Sequence, residues 1–475
     1  MKAHTEDWNA PRGYCADEES HDPKTSVAIV GGGVVGVILA HGLLQRGIHV
    51  AIYERAANFH ETGAGFAFTA VARDCMTKLS PKVIEAMNRV GIPNKRPFDN
   101  YWDGYHVKNK EDSFSTSDVG DPEGNSCELL FTRPNHQLDF WGCLRTHFLN
   151  EVASSLPADV IHFKKELTHY IDPSPSPGPV TLYFADGTTA IADALIGCDG
   201  LRSHVRAQLV GDVAPQAVKP SYTHKRCYRT VVPLSSGEAV LGSYKANNQC
   251  MHVGPGAHVL TYPVGNSLMN IVLFISDPQD WPDYSRMVLP GRREDLLSAL
   301  QEWGPATRGL VALFSPEPSV WGIFDMFDNP APFYANGRVC IAGDAAHGSA
   351  PHHGAGAGFG IEDALVIAIG MEEVLKTIKI TDKIMRNSSK TNAITAAFHA
   401  FNHIRYKRTQ WLVRSSREAG DIYQWQYEKS GNSVEEMRQE LNDRFKIIWD
   451  FDVERMLEKT KEKYNELLGN DFSGI

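Results

Sequence analysis

Paired cysteines are missing from this chain. Its eight cysteines (Cys15, Cys75, Cys127, Cys143, Cys198, Cys227, Cys250 and Cys340) form no C-x-x-C pair and are scattered. That pattern excludes a disulfide framework and fits reduced thiols in a cytoplasmic protein. Positive charge is also in deficit: 47 Lys and Arg stand against 57 Asp and Glu, a net charge of −10. Nucleic acid and anionic membrane surfaces would repel such a chain at long range, which excludes both as general partners. One apolar stretch, Val27 to Ala40, resembles a membrane span, but it has 14 residues and holds four glycines, short for a bilayer crossing. The first 25 residues are polar and acidic (Glu6, Asp7, Asp17, Glu18, Glu19), with no signal-peptide charge pattern. No G-x-S-x-G nucleophile elbow occurs, so hydrolase chemistry has no support. No repeat recurs at a fixed period.

The composition is that of a globular protein. Hydrophobic residues make up 42% and charged residues 22% of 475 positions, which excludes large-scale disorder. Glycine at 40 and proline at 26 exclude collagen-like and low-complexity classes. The length supplies two to four domains' worth of chain, enough to bury a core without disulfide or metal staples.

Residues 1–25 read as a flexible leader. Ser26–Val30 is a short β-branched run, followed by glycines and an apolar-periodic stretch to Arg46; Gly47 ends it, and His49–Tyr53 reads as a second strand. This is one βαβ unit. Residues 60–125 show no clear periodicity. His136–Leu149 reads as a helix, with Leu138, Trp141, Leu144, Phe148 and Leu149 near one face. Val180–Phe184 and Thr188–Ala192 flank Ala185-Asp186-Gly187, a hairpin signal. Cys227–Val232, His258–Val264 and Met269–Ile275 read as strands of one antiparallel sheet. Val339–Ala342 is a further short strand, followed by a Gly/Ala/His loop and a helix from about Gly360 to Leu375. The tail from Ala396 to Leu468 is charged and helical in character.

Gly31-Gly32-Gly33-Val34-Val35-Gly36 satisfies G-x-G-x-x-G between a predicted strand and a predicted helix. In that context Gly31 allows the tight turn, Gly33 lets backbone approach a pyrophosphate, and Gly36 lets the helix pack on the strand. The helix N-terminus offers unpaired N–H groups to the phosphates. Glu54 ends the second strand where an acidic residue holds a ribose hydroxyl. A ligand-free glycine turn is the bland alternative. The motif does not distinguish FAD from NAD.

Two more motifs narrow the choice. Arg338 to His347 is a strand ending in Gly343-Asp344-Ala345-Ala346-His347, followed by Pro351, by Gly354-Ala355-Gly356-Ala357-Gly358 and by a helix with Glu362 and Asp363. Ala194 to Arg206 is a strand, then Cys198-Asp199-Gly200, then Ser203 and Arg206. With these three motifs in this order, the chain resembles the FAD-dependent aromatic hydroxylases, the single-component flavoprotein monooxygenases, over about residues 26–375. Within that family it is most similar to fungal salicylate-hydroxylase-like enzymes, among them oxidative dearomatases of polyketide phenols. Many family members carry Gly-Gln-Gly where this chain has Gly354-Ala355-Gly356. That departure speaks against a plain bacterial-type salicylate hydroxylase.

The resemblance implies an α/β fold: a Rossmann-like FAD-binding domain with a parallel sheet, a β-sheet substrate domain and C-terminal helices. The expected division is a FAD-binding part in 26–210 (with a substrate-domain insertion around 75–125), a substrate domain in 211–330, a last FAD-binding segment in 331–390 and C-terminal helices in 391–475. The resemblance further implies that Gly31, Gly33 and Gly36 form the ADP-binding turn and that Glu54 holds the ribose. It implies backbone contacts to the flavin from Ala67, in the Gly63–Ala67 segment, and from Ala357. It assigns Arg133 to the flavin, Asp344 to the ribityl chain, and Asp199 with Gly200 to both FAD and NADPH use. Arg229 and Tyr262 match positions that anchor a phenolate, and a held phenolate is the form that an electrophilic flavin C4a-hydroperoxide attacks.

Structural alternatives stand beside each assignment: a helix cap for Asp344, a surface arginine for Arg133 or Arg229, a core aromatic for Tyr262. A shift of register would put Arg226 or Tyr228 in place of the catalytic pair. His347, His352 and His353 invite a metal reading, but no carboxylate or cysteine arrangement completes a site, so no metal is expected. The implied reactants are bound FAD, transient NADPH or NADH, O2 and a small phenol. The outcome is hydroxylation, salicylate-type decarboxylative hydroxylation or dearomatisation. The rivals of another class are a non-oxygenating flavin reductase or oxidase and a non-catalytic FAD-binding scaffold.

Overall fold

The computed structural model describes residues 25–59, 65–96, 98–106, 127–134, 141–265, 267–380 and 386–472. The expected leader, the first residues of the Gly63–Ala67 segment and most of the end of the 75–125 insertion lie outside them.

Ser26–Val30 is β-branched and almost wholly buried, and it forms the middle of a six-stranded sheet. His49–Glu54 and then Ile161–Phe163 lie parallel to it on one side. Ala194–Gly197 and then Val339–Ile341 lie parallel on the other. The short Ala335–Asn336 strand closes that edge in antiparallel fashion. The strand order therefore reverses at Ser26–Val30. In an open parallel sheet, ligands bind beyond the carboxyl ends of the strands at such a switch point.

The second sheet has eight strands in the order Val288–Pro290, Ser319–Asp325, Ser221–Pro233, Leu268–Ser276, Ala257–Val264, Cys250–Gly254, Phe98–Asp103 and Leu129–Pro134. The three expected strands sit together at its centre. The sheet is mixed rather than purely antiparallel, because Phe98–Asp103 runs parallel to Cys250–Gly254. A strand inserted from far upstream has no hairpin to force the antiparallel direction.

A small third sheet joins the two. Gly65–Phe68 pairs with Trp141–Leu144, which also pairs with Ile92–Pro93. Gly142 lies so close to the Ala257–Val264 strand that an added Cβ would be 2.8 Å from the Pro263 carbonyl oxygen. The helix expected over His136–Leu149 is thereby corrected. Residues 136–140 lie outside the described chain, Trp141–Leu144 is strand, and the helix runs Arg145–Ser154. The apolar spacing was real, but strand pairing with Gly65–Phe68 claimed its first half.

Two helices in the stretch without clear periodicity, Ala70–Leu79 and Pro81–Val90, pack into the core of the six-stranded sheet. Thr69 caps the first, accepting a hydrogen bond from the Ala72 N–H. The helix after the glycine loop starts at Gly356 and continues to Ile380. Helices Arg386–Tyr423, Val434–Trp449 and Val453–Phe472 complete the described chain. No helix among the described residues is long and apolar enough to cross a membrane.

Candidate active site

Four strand ends converge at the switch point. Gly31 follows Val30 with φ of 107°, a conformation open to glycine, and its N–H donates to the Tyr53 carbonyl at 2.9 Å. A Cβ on Gly31 would lie 2.3 Å from the Cys198 carbonyl oxygen, so the Asp199-Gly200 turn presses directly on the glycine turn. A Cβ on Gly36 would lie 2.1 Å from the Gly31 carbonyl oxygen. Gly33, the N-cap of helix Val34–Leu44, differs from both. An added Cβ there meets nothing within 4 Å. Gly31 and Gly36 are glycine because backbone is packed on backbone. Gly33 faces open space at a helix N-terminus, where a phosphate is favoured.

Glu54 closes the turn from the next strand. Its Oε2 accepts the Gly32 N–H and its Oε1 the Ala56 N–H, both at 2.7 Å. One carboxylate thus sets the glycine turn and keeps lone pairs for a further donor.

The Val339–Ile341 strand delivers Gly343 and Asp344. Gly343 has φ of 60° and packs on Val35 of the first helix. Gly360, one turn into the second long helix, packs there too: an added Cβ would come within 2.4 Å of Val35. Helices Val34–Leu44 and Gly356–Ile380 therefore bring their N-termini to one cleft. Asp344 is exposed, and its carboxylate accepts no hydrogen bond among the described residues. Gly343 is the N-cap of the short Asp344–His347 helix, and no side chain caps it, which disposes of the capping alternative for Asp344. Ala67, Thr69, Gly354, Ala355, Gly358 and Phe359 line the adjoining cleft, and Ala357 sits half-buried at its edge.

A buried ionic brace holds this loop, and the sequence reasoning missed it. Asp363 accepts the Gly343 N–H at 3.0 Å and pairs with His347 Nε2 at 2.5 Å and Arg405 Nε at 2.7 Å. Burial works to raise the Asp363 carboxyl, but His347 and Arg405 outweigh it and hold it down at about 2. Glu362 binds Arg405 and, at 2.8 Å, Arg408. The available signal was two adjacent acids in an otherwise apolar helix, Ile361-Glu362-Asp363-Ala364-Leu365. Buried charges of that kind need partners. Arg206 is a second such staple. It is fully buried and donates to the Ala345 carbonyl at 2.9 Å and the Val218 carbonyl at 3.0 Å.

Asp199 and Arg133 sit differently from the other expected cofactor residues. The Asp199 carboxylate is engaged at the N-terminus of helix His204–Val210, accepting from Ser203 Oγ at 2.5 Å and from the His204 N–H at 2.7 Å. Its place beside Gly31 is real, but its oxygens serve the helix. Arg133 is buried on the edge strand Leu129–Pro134, ion-paired with Asp99. Its guanidinium lies 3.8 Å over the Phe445 ring and 3.9 Å over Trp449. The expected flavin contact finds no support in these contacts, which tie the sheet edge to helix Val434–Trp449. His353 of the glycine loop packs against the same Phe445 and shares a hydrogen bond with Ser415 Oγ at 2.8 Å.

Arg229 and Tyr262 lie on the sheet face turned toward the cofactor cleft. Strand alternation puts Cys227 and Arg229 on one face and Arg226 and Tyr228 on the other. On the cleft side, Cys227, Val272, Phe274 and Ile323 pack with Ala350 of the glycine loop. On the far side, Arg226 pairs with Asp277 and Tyr228 joins a separate core, so the register alternative falls. Arg229 has its Nε 3.4 Å from Cys227 Sγ and its guanidinium 5.1 Å over Trp321. Tyr262 is buried, and its hydroxyl is 2.4 Å from where a Gly65 Cβ would be. Gly65 begins the strand that carries Ala67. Burial pushes the Tyr262 phenol well up, against the pull of the nearby Arg229 cation.

The cleft fits FAD on its own geometry: an open glycine cradle at a helix N-terminus, a carboxylate beside that turn, an exposed aspartate and a second helix N-terminus. A model of an FAD binding domain matches residues 24–220 and 311–395. The chain is 47% identical over 448 residues to the FAD-dependent monooxygenase SAT7 of Stachybotrys chartarum, covering 92% of this chain and 91% of that one. It is 41% identical to the salicylate hydroxylase asL1 of Sarocladium schorii, covering 98% of both. Among solved structures, a salicylate hydroxylase substrate complex superposes with a TM-score of 0.75 at 26% identity, covering 93% of this chain and 98% of that one.

Proposed function

The chain belongs to the FAD-dependent monooxygenases, and from that premise we propose that it oxygenates the ring of a small phenol, with NADPH or NADH as transient reductant. The proposed outcome is oxidative dearomatisation of a polyketide phenol. The observation that carries the reading is a cation and a protonated phenolic side chain, Arg229 and Tyr262, on one sheet face over the cofactor cleft. When bound, FAD supplies the redox chemistry: electrons from the nicotinamide, and O2 split between the substrate carbon and water.

Everything else is the work of this chain. Gly31, Gly33 and Gly36 admit the pyrophosphate, Glu54 holds the ribose, and Asp344 takes a ribityl hydroxyl. Ala67 and Ala357 offer backbone to the ring system. The N-terminus of Gly356–Ile380 favours negative charge there. Asp199 and Arg133 act from behind, as helix cap and sheet anchor. Arg229 draws the substrate into its phenolate form by charge. Tyr262 keeps its proton because burial raises its pKa, so it donates O–H to the phenolate oxygen. Val272, Phe274 and Ile323 keep water from the reacting carbon. The Gly354-Ala355-Gly356 departure from Gly-Gln-Gly supports the fungal dearomatase branch.

The test is NADPH consumption with a panel of phenols, with product masses read by mass spectrometry. Gain of one oxygen by an alkylated dihydroxybenzaldehyde, with loss of aromatic absorbance, is the expected result. Oxygen gain with loss of carbon dioxide from salicylate would make the enzyme a decarboxylating hydroxylase instead. Flavin without phenol-stimulated turnover would refute the substrate reading.

A further inference from the structure

Asn270 lies in the middle of an apolar strand, Leu268–Ser276, and is completely buried. Neither its amide nitrogen nor its carbonyl oxygen makes a hydrogen bond of normal geometry among the described residues; the polar group beside it is the Tyr262 hydroxyl, with which it interacts loosely. A buried polar group left in that state is costly, so the site that contains it must return something for it.

The register says where the amide is. Leu268–Ser276 runs between the strand of Arg229 and the strand of Tyr262. Asn270 is directly opposite Tyr262, and Arg229 is opposite Val272, the next residue along on the same face. Two strand spacings of about 4.8 Å and a two-residue offset of about 7 Å put the Arg229 and Tyr262 backbones about 12 Å apart, with Asn270 and Val272 between them. A ligand oxygen held by both side chains must therefore sit over this pair, one member of which is apolar and the other an amide. Gly65 closes the end of the site: an added Cβ would lie 2.4 Å from the Tyr262 hydroxyl and 2.9 Å from Asn270 Cγ. The small third sheet thus seats the hydroxyl and the amide side by side on the strand that continues to Ala67.

We propose that Asn270 is a third substrate-binding residue of the phenol site, its amide N–H donating to the ring oxygen or to an adjacent oxygen substituent of the bound phenol. The inference rests on the phenol reading above. An amide suits this place because it is neutral. It adds a donor to the Arg229 and Tyr262 pair without a charge that would have to be buried when no substrate is present. Its carbonyl oxygen can accept from a neighbouring hydroxyl, which favours phenols with a second oxygen beside the first.

The test compares the wild-type holoenzyme with Asn270→Leu and Asn270→Asp, using a methylated dihydroxybenzaldehyde as probe. Expected for Asn270→Leu are full flavin content and a melting midpoint without phenol equal to or above wild type, since the unsatisfied amide is gone. The KM should rise about tenfold or more, and the midpoint shift induced by phenol should shrink. Asn270→Asp keeps the shape but sets a carboxylate against the phenolate, and a larger rise in KM is expected. A lower midpoint of Asn270→Leu without phenol would make the amide a structural residue, and loss of flavin would assign it to the cofactor; either overturns the inference. If Asn270→Leu does not fold, an unchanged KM in Asn270→Asp overturns it equally. Wild-type enzyme that turns over no phenol would sink the phenol reading and this inference together. Wild-type turnover with undiminished binding in both variants would sink the inference alone.

Discussion

Two glycines of one turn should respond to alanine in opposite ways. At Gly33 the backbone is extended, with φ of −71° and ψ of −179°, which any residue adopts, and a Cβ meets nothing within 4 Å. Alanine there restricts the unfolded chain, a gain of about 0.4–1 kcal/mol. It is also a poorer N-cap than glycine, a loss of similar size. The cofactor-free protein should therefore keep its stability to within about 0.5 kcal/mol. The new methyl stands where the pyrophosphate approaches the backbone. Displacing the phosphate from one N–H forfeits a hydrogen bond to a charged group, about 1.5–3 kcal/mol, or roughly 10–150-fold in FAD affinity. At Gly36 the methyl would sit 2.1 Å from a backbone carbonyl oxygen, and backbone does not swing aside as a side chain does. Overpacking of that kind costs about 1–3 kcal/mol, against about 1 kcal/mol of helix propensity gained.

The assay is a pair of melting curves for each protein, with and without FAD, beside flavin content after gel filtration. Gly33→Ala should match wild type without FAD and lose most of the FAD-induced shift. Gly36→Ala should melt lower without FAD and hold no flavin. Wild-type flavin retention by Gly33→Ala would refute the placement of the pyrophosphate at this turn. A large loss of stability in cofactor-free Gly33→Ala would refute the claim that its space is open.

Other perturbations reach the rest of the site. Arg229→Met should lower kcat/KM by about 10²–10³-fold, the range for losing a preorganised electrostatic donor, while leaving flavin content intact; Tyr262→Phe should cost about tenfold, and steady-state kinetics on the same phenol decide both. Asp363→Asn breaks a buried pair shared by His347, Arg405 and the Gly343 N–H, so a loss of about 3–5 kcal/mol is expected, and an unshifted urea midpoint would show that the brace carries no strain from the loop. Burial lowers the pKa of His252 and of His353 to about 3, below the unfolded value of about 6.5. Their contribution is thus whole above pH 6.5 and is lost as pH falls toward 3, about 2 kcal/mol for each by pH 5. A melting midpoint that stays flat between pH 7.5 and 5 would contradict this.

The parts of the site legible in the sequence are those whose signal is local. The Gly31–Gly36 turn, Glu54 and the Gly343-Asp344 turn each follow a short apolar strand within a few residues, and chain geometry leaves such glycines few other uses. Their convergence on one cleft is implied by the resemblance to the aromatic hydroxylases, not by the local pattern of any one of them. Arg133 shows the opposite case. Nothing adjacent to it distinguishes a flavin ligand from a sheet anchor. Its environment is decided by Asp99, upstream, and by Phe445 and Trp449, some three hundred residues downstream. Trp141–Leu144 carried an honest helical spacing and became strand because Gly65–Phe68 needed a partner. Pairing across such separations leaves no mark in a local window.

Between these cases stands a class of residue that a sequence does betray, once the physical cost is kept in view. Glu362 and Asp363 interrupt an apolar helix, and Asn270 interrupts Leu268-Met269-Asn270-Ile271-Val272-Leu273-Phe274-Ile275. A polar side chain in a run that must be buried loses its water on folding and must recover hydrogen bonds from somewhere. For Glu362 and Asp363 the protein supplies the recovery itself, through Arg405, Arg408 and His347. For Asn270 the described residues supply only the loose contact of the neighbouring Tyr262 hydroxyl. The stability the fold forgoes there is available to whatever binds, so ligand affinity and ligand-free stability should trade against one another at Asn270, and not at Gly33, where the open space costs the fold nothing.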